Sequence, residues 1–345
     1  MRYRWLFLQV VSVFLVGVAI FSGGSVSAQE PASDFSLQVT PSPLVTELKP
    51  GTETTLDLRI RNSGTGTEQL TIQPRSFTID DNTGEVILNH NEPSEIADWV
   101  SFKEQEFTIE PGQWYTQKIT ISLPEDTGFS YSLVFVISRT NNPKSLDGQR
   151  IIEGSVAVFT LINVDRPGAV RQLDVEKFST SSTVYEYLPV TANIVFRNTG
   201  NTIVRPYGNI FIQRGSDDTT PIATLPVNDG GGYILPGSKR VLDTDWTDGF
   251  PVYEITTESD GSEKKSEVWD WSKAFQFRMG HYTAKLVAVY NDGIRDVPVE
   301  RQATFWVLPW KIMLIGLIVL IVLVIGVWSV LWRAFKLFRR GKRKR

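Results

Sequence analysis

Short runs of alternating apolar and polar residues fill the chain from residue 35 to about residue 310. Residues 55–61 set Leu56, Leu58 and Ile60 on one side and hydroxyl or charged residues on the other. That two-residue period is the mark of a half-buried strand. Residues 117–123 repeat it with Ile119, Ile121 and Leu123. Residues 156–162 and 284–290 are rich in β-branched residues, and turn residues such as Pro-Gly, Asn-Ser-Gly and Asn-Asp-Gly bound the runs. No long helical period interrupts them. Short strands at ~8–12-residue spacing predict Ig-like β-sandwiches.

Two segments depart from this pattern. Residues 1–28 hold Arg2 and Arg4, an apolar stretch, and Val26-Ser27-Ala28 before Gln29. A charged start, an apolar middle and a small-residue cleavage site predict a secretory signal peptide. Near the other end, residues 312–332 carry no charge. As a helix they span ~31 Å at ~1.5 Å per residue, enough to cross a hydrocarbon core. The expected span is drawn at 310–332, with Trp310 at one end and Trp328 and Trp332 at the other as interfacial anchors. Arg333 and Lys336 begin a basic tail over 333–345. Basic residues directly after a span predict that the tail is cytoplasmic. The expected topology is single-pass in the cell membrane, with the β region extracellular.

An internal repeat divides the β region. Residues 56–64 end in Arg61-Asn62-Ser63-Gly64, and residues 190–200 end in Arg197-Asn198-Thr199-Gly200. Ile109-Glu110-Pro111-Gly112 is echoed by Ile234-Leu235-Pro236-Gly237, and Tyr131 by Tyr282. Matched landmarks in the same order predict two tandem sandwiches, at 35–165 and 172–308, joined through Asp165-Arg166-Pro167-Gly168. Between Gly237 and Tyr282 the second copy is longer, which predicts an insertion near 245–273.

Charge sharpens the topology. Of 35 basic residues, two lie in 1–28 and nine in 311–345, leaving 24 against all 38 acidic residues between them, a net of −14. A chain with an acidic middle and a basic end is sorted between two compartments. The absence of cysteine excludes disulfides, thiolate metal sites and a Cys nucleophile. The two histidines, His90 in a polar loop and His281 before a strand, show neither a nucleophile elbow nor a metal-spaced partner. Residues 80–85 and 243–249 carry Asp, Asn and Gly suited to hairpin turns, a reading preferred to calcium coordination. No enzyme activity, cofactor or metal is expected, and the placing of the only basic cluster in the tail argues against nucleic acid.

Aromatic residues supply the candidate contacts. Trp269-Asp270-Trp271 alternates, so on a strand both indoles would face one way. They would stack on a sugar, fill a partner's pocket, or cover a small core of the insertion. Trp246, Trp114 and Tyr115 complete the set for a protein partner or glycan.

The succession of residues 35–41, Leu48-Lys49-Pro50-Gly51, an alternating strand ending in Asn, Pro111-Gly112 and Leu123-Pro124 is similar to the start of WxL-interacting surface proteins. The order of parts resembles that family over nearly the whole chain. The resemblance implies a peptidoglycan-binding first sandwich and a second, host-binding one. The expected function is therefore a non-enzymatic, membrane-anchored bacterial surface protein that binds cell-wall glycan, another surface protein, or both. The alternative is a scaffold subunit of a membrane complex that binds no glycan.

Overall fold

A computed structural model describes residues 35–80, 83, 85–140, 154–215, 220–257 and 263–341. The expected signal peptide at 1–28 and the last residues of the basic tail lie outside these. The described chain is all-β up to residue 307 and ends in one long helix.

The first unit opens with β1 (Leu37–Thr40), β2 (Leu44–Leu48), β3 (Glu53–Asn62), β4 (Glu68–Ile79) and β5 (Val86–Pro93). It closes with β6 (Val100–Phe102), β7 (Glu106–Ile109), β8 (Trp114–Ser122), β9 (Ser130–Arg139) and β10 (Ser155–Val164). One sheet has the order β1-β3-β8-β6; the other is β2-β10-β9-β4-β5, with β7 also on β4. The alternation read at 55–61 and 117–123 is the inward face of β3 and β8. Leu58, Ile60, Ile119 and Ile121 there share one core with Leu70, Ile72, Leu133, Phe135 and Ile137 of the opposite sheet. Pro41 and Pro43 lack the amide needed to extend the β1 ladder. The chain crosses to the other sheet, where β2 runs parallel to β10.

The second unit contains β11 (Leu173–Thr180), β12 (Val184–Tyr185), β13 (Val190–Asn198), β14 (Tyr207–Arg214), β15 (Ala223–Val227) and β16 (Lys239–Trp246). A separate hairpin follows, β17 (Val252–Thr257) with β18 (Glu263–Val268), and then a short 3-10 segment, Trp271–Gln276. β19 (Gly280–Asn291) and β20 (Asp296–Val307) complete the unit. Its sheets are β11-β13-β16 and β12-β20-β19-β14-β15. The short β12 runs parallel to β20, as β2 does to β10. Its core gathers Ile194, Phe196, Ile210, Trp246, Tyr282, Leu286 and Phe305, and no residue of it belongs to the first core. Helix α1 (Trp310–Gly341) begins three residues after β20 ends.

The two asparagines of the repeat do the same work. Asn62 is fully buried; its amide nitrogen donates to Gly66 O (2.7 Å) and Ile109 O (3.0 Å), and its Oδ1 accepts from Gly64 N (2.9 Å). Asn198, also fully buried, donates to Thr202 O (2.7 Å) and Ile234 O (2.9 Å) and accepts from Gly200 N (2.9 Å). The amides of Gly112 and Gly237, both at φ 74°, close the knot by donating to the carbonyls of Asn62 and Asn198. Only a residue tolerant of the left-handed region turns the chain there without strain. The third landmark differs, since Tyr282 is buried in the core and Tyr131 only half so.

Removing either amide strands two carbonyls and one N–H that are buried or partly buried. At ~1–3 kcal/mol for each buried group left unpaired, after partial relaxation, Asn62→Ala or Asn198→Ala should cost about 2–4 kcal/mol. Chemical denaturation of each variant, followed by a probe confined to one unit, measures it. The cost is expected to fall on the unit that carries the substitution.

Candidate functional site

The two units meet along a joint built by the loop that follows Asn198. Asn201 accepts from Val170 N at Oδ1 (2.7 Å) and donates to Gly168 O (2.9 Å), so it clamps the linker. Asn163 of β10 reaches across, accepting from Ile203 N (2.9 Å) and donating to Ile203 O (3.3 Å). Ser130 donates to Asn201 O at 3.1 Å. Arg171 pairs with Glu47 at 2.8 Å, and the Arg166 guanidinium lies over Phe129, 5.3 Å from the ring centre, while donating to Thr127 O. A Cβ on Gly200 would stand 2.3 Å from Val170 O, so no larger residue fits against the linker there.

Beside this joint lies a cleft of about 860 Å³. Ser76, Asn89, Ser94, Ser130, Ser132, Asn201 and Ser238 supply uncharged polar groups to its walls, Phe77, Phe129 and Tyr131 supply aromatic rings, and Glu95 is its carboxylate. The Tyr131 ring is held edge-on by Trp99, 4.8 Å between centres. The volume lies within the ~300–1,000 Å³ range of small-ligand sites. None of these residues is expected as a contact from the sequence. The signal was present only as the repeat landmarks Tyr131, Gly200, Pro236 and Gly237, the last three marking the loops that form one wall.

The expected contact residues do not form one site. Trp246 is 1 % exposed and packs on Tyr282 and Phe305 (centroids 5.3 and 6.2 Å). It is core and not contact surface, because β16 continues through it and pairs Trp246 with Val190. Trp114 is exposed, but Arg59 and Arg61 of the neighbouring strand lie over its ring, 4.6 and 5.9 Å from the centre. The guanidiniums occupy a face on which a sugar would stack. Tyr115, on the other side of β8, stacks on Phe107 at 4.5 Å and hydrogen bonds to Glu104 at 3.1 Å.

Trp269 and Trp271 lie beyond the end of β18, not on a strand. Asp270 caps the 3-10 segment by accepting from Ser272 N at 3.1 Å. The indoles still lie side by side, with centres 5.9 Å apart, through shared contacts with Phe250 at 5.7 and 5.2 Å. The underside of this cluster, Tyr187 and Phe250, is buried, while both Trp rings reach solvent. Below it, Tyr253 donates to Glu186 at 2.8 Å, and Lys311 of α1 pairs with Glu267 (2.6 Å) and Glu186 (3.3 Å).

The aspartates at 243–249 do not form a turn. Asp243 and Asp245 are on β16, paired with Asn193 (2.7 Å) and Thr191 (2.6 Å), and Asp248 pairs with Arg278 (2.7 Å). Residues 79 and 86 do flank a β4–β5 hairpin, in which Thr83 N donates to Asp80 (2.7 Å). His90 lies in β5 and not in a loop, and His281 sits 5.0 Å from the Trp306 ring. Among the described residues no group of three or more His, Cys, Asp or Glu could hold a metal ion. Trp310, Trp328, Trp332 and Arg333 are exposed on α1, in which Trp310 to Arg333 is long and apolar enough to cross a membrane. Lys336 is on the same helix.

No family model matches the sequence, and no curated protein does. Among solved structures the chain is similar to the CsuC–CsuE chaperone–tip adhesion subunit pre-assembly complex of Acinetobacter baumannii (10% identity, 77% of this chain and 97% of that one, TM-score 0.37). It is also similar to the E. coli chaperone DraB (12% identity, 68% and 98%, TM-score 0.35). A third is a protein of unknown function from Porphyromonas gingivalis (14% identity, 79% and 99%, TM-score 0.26). These are likenesses of fold, at identities too low to carry a function across.

Burial, then the Glu104 hydrogen bond, pushes the Tyr115 phenol up to about 12, and burial with Glu186 does the same for Tyr253. A raised phenol favours the folded state fully below its ordinary ~10 and loses that contribution as pH climbs through the folded value. In a near-UV alkaline titration these two tyrosines should ionise after the exposed ones. Glu104→Gln should bring Tyr115 part of the way back, leaving the burial contribution. Gly200→Ala should force the linker off the second unit and speed tryptic cleavage after Arg171.

Proposed function

We propose that this is a non-enzymatic, membrane-anchored surface protein of a bacterial envelope, whose two sandwiches bind cell-wall glycan in the cleft between them. The observation that carries the reading is the composition of the cleft wall. A region of net charge −14 repels anionic wall polymers. Such a protein needs a local site of hydroxyls, amides and aromatic faces to hold a neutral sugar, and Ser76, Asn89, Tyr131, Asn201 and Ser238 provide one. Hydroxyl-rich ligands suit this lining because each polar group finds a partner and the pyranose face finds an aromatic ring.

The resemblance of the layout to WxL-interacting proteins supports the same reading. A signal peptide, a β region, one span and a basic tail would place the cleft outside the cell within reach of the wall. The joint supports it as well, because a cleft shared by two units is useful only if their relative position is held.

Full-length protein in detergent micelles should be retained on purified peptidoglycan. The cleft-filling variants Ser76→Trp and Ser238→Trp should lose about tenfold in affinity or more, the equivalent of ~1.4 kcal/mol, with no change in far-UV circular dichroism. Equal retention of wild type and both variants removes the cleft from the reading. No retention of any of them, with co-purification of other membrane proteins, favours the scaffold alternative.

A further inference from the structure

The end of the insertion and the residues that lead from it into β19 leave an apolar surface of Trp269, Trp271, Phe275, Phe277 and Met279 open to solvent, with Trp271 72 % and Phe275 83 % exposed. A surface of this kind on an otherwise acidic unit asks for a covering partner. Its position in the chain names one.

Met279 directly precedes Gly280, and Gly280 pairs with Val307 in the β19–β20 ladder. Val307 is three residues from Trp310, where α1 begins, a reach of at most ~10 Å. On the other side of the cluster, Glu267 lies two residues before Trp269 and holds Lys311, the second residue of α1, at 2.6 Å. Glu186 holds the same ammonium at 3.3 Å. Both ends of the aromatic segment are therefore fastened to the first turn of the helix.

The candidate span of α1 runs over 24 residues, Trp310 to Arg333, with the charged Lys311 and Arg333 at its two ends. At ~1.5 Å per residue it measures ~36 Å, longer than a ~30 Å hydrocarbon core. If α1 spans, its first turn lies among lipid headgroups, and so does everything fastened to it. Trp306, half exposed against His281, is only four residues before the helix begins. Indole and phenyl groups at that depth bury apolar area while Trp N–H groups stay hydrated.

We propose that this aromatic pad is a second membrane contact, seated in the interfacial zone of the bilayer that α1 crosses. The Glu186–Lys311–Glu267 cluster sets the pad's height, and the pad together with the helix fixes the tilt of the second unit over the membrane. This depends on α1 spanning and not on what the cleft binds.

The chain has no cysteine, so one introduced thiol labels one place. Phe275→Cys, carrying an environment-sensitive fluorophore, is compared with Ile294→Cys, which is 95 % exposed at the turn at the other end of the β19–β20 hairpin. Both are made in the full chain and reconstituted into phosphatidylcholine nanodiscs. Failure to reconstitute would report on the helix, separately from the pad. At residue 275 the expected result is a blue-shifted emission, loss of most iodide quenching, and quenching by lipids labelled near the headgroup. At residue 294 iodide should quench freely. Iodide quenching at 275 equal to that at 294, without lipid quenching, overturns the proposal. Iodide protection at 275 without lipid quenching also overturns it, and points to a protein covering the pad.

Discussion

Each sandwich closes around an asparagine that has no water to bond. A buried amide that left its groups unpaired would cost more than most single side chains contribute, so the surrounding chain must present two carbonyls and one N–H to it. That requirement ties the end of one strand, the loop after it and the Pro-Gly turn of a distant strand into a single knot at Asn62 and again at Asn198. In the second copy the knot has a further consequence. The loop it shapes, from Thr199 to Ile203, is the surface on which the linker and the first unit are seated.

Rigidity then passes from core to site. Asn198 shapes the loop, Gly200 allows the linker to lie against it, and Asn201 and Asn163 bond across the joint. The cleft exists because these contacts hold two convex sandwiches at one angle with a gap beside them. At the other end of the second unit, Glu267 of the insertion and Glu186 of the sandwich both pair with Lys311 of α1, so the position of the helix is also handed on from the sandwich. A single chain of contacts runs from the first core to the start of α1.

The strands were legible in the sequence because a half-buried strand must alternate, and Leu56, Leu58 and Ile60 alternate. The repeat was legible because Asn and Gly in those positions answer a backbone need that few residues meet. Trp246 was misplaced, since a tryptophan beside aspartates reads as surface until the pairing of β16 with β13 turns its ring inward. Asp243 and Asp245 read as a turn for the same reason; each is held on a strand by a neighbour in β13. Trp269 and Trp271 were found side by side, but by way of Phe250 and not of strand periodicity.

The sequence by itself determined the class of structure: alternating strands, two copies, one long apolar helix and an uneven charge. These are properties of local periodicity and composition, which need no knowledge of what packs against what. Only the tertiary structure decided which tryptophans are core, where the two units touch, that a cleft lies between them, and that the inserted aromatics sit at the foot of the helix. Those facts depend on residues far apart in the chain, such as Asn163 with Ile203 or Glu267 with Lys311. No local pattern encodes such pairs; they are set when the two cores and the joint are packed together.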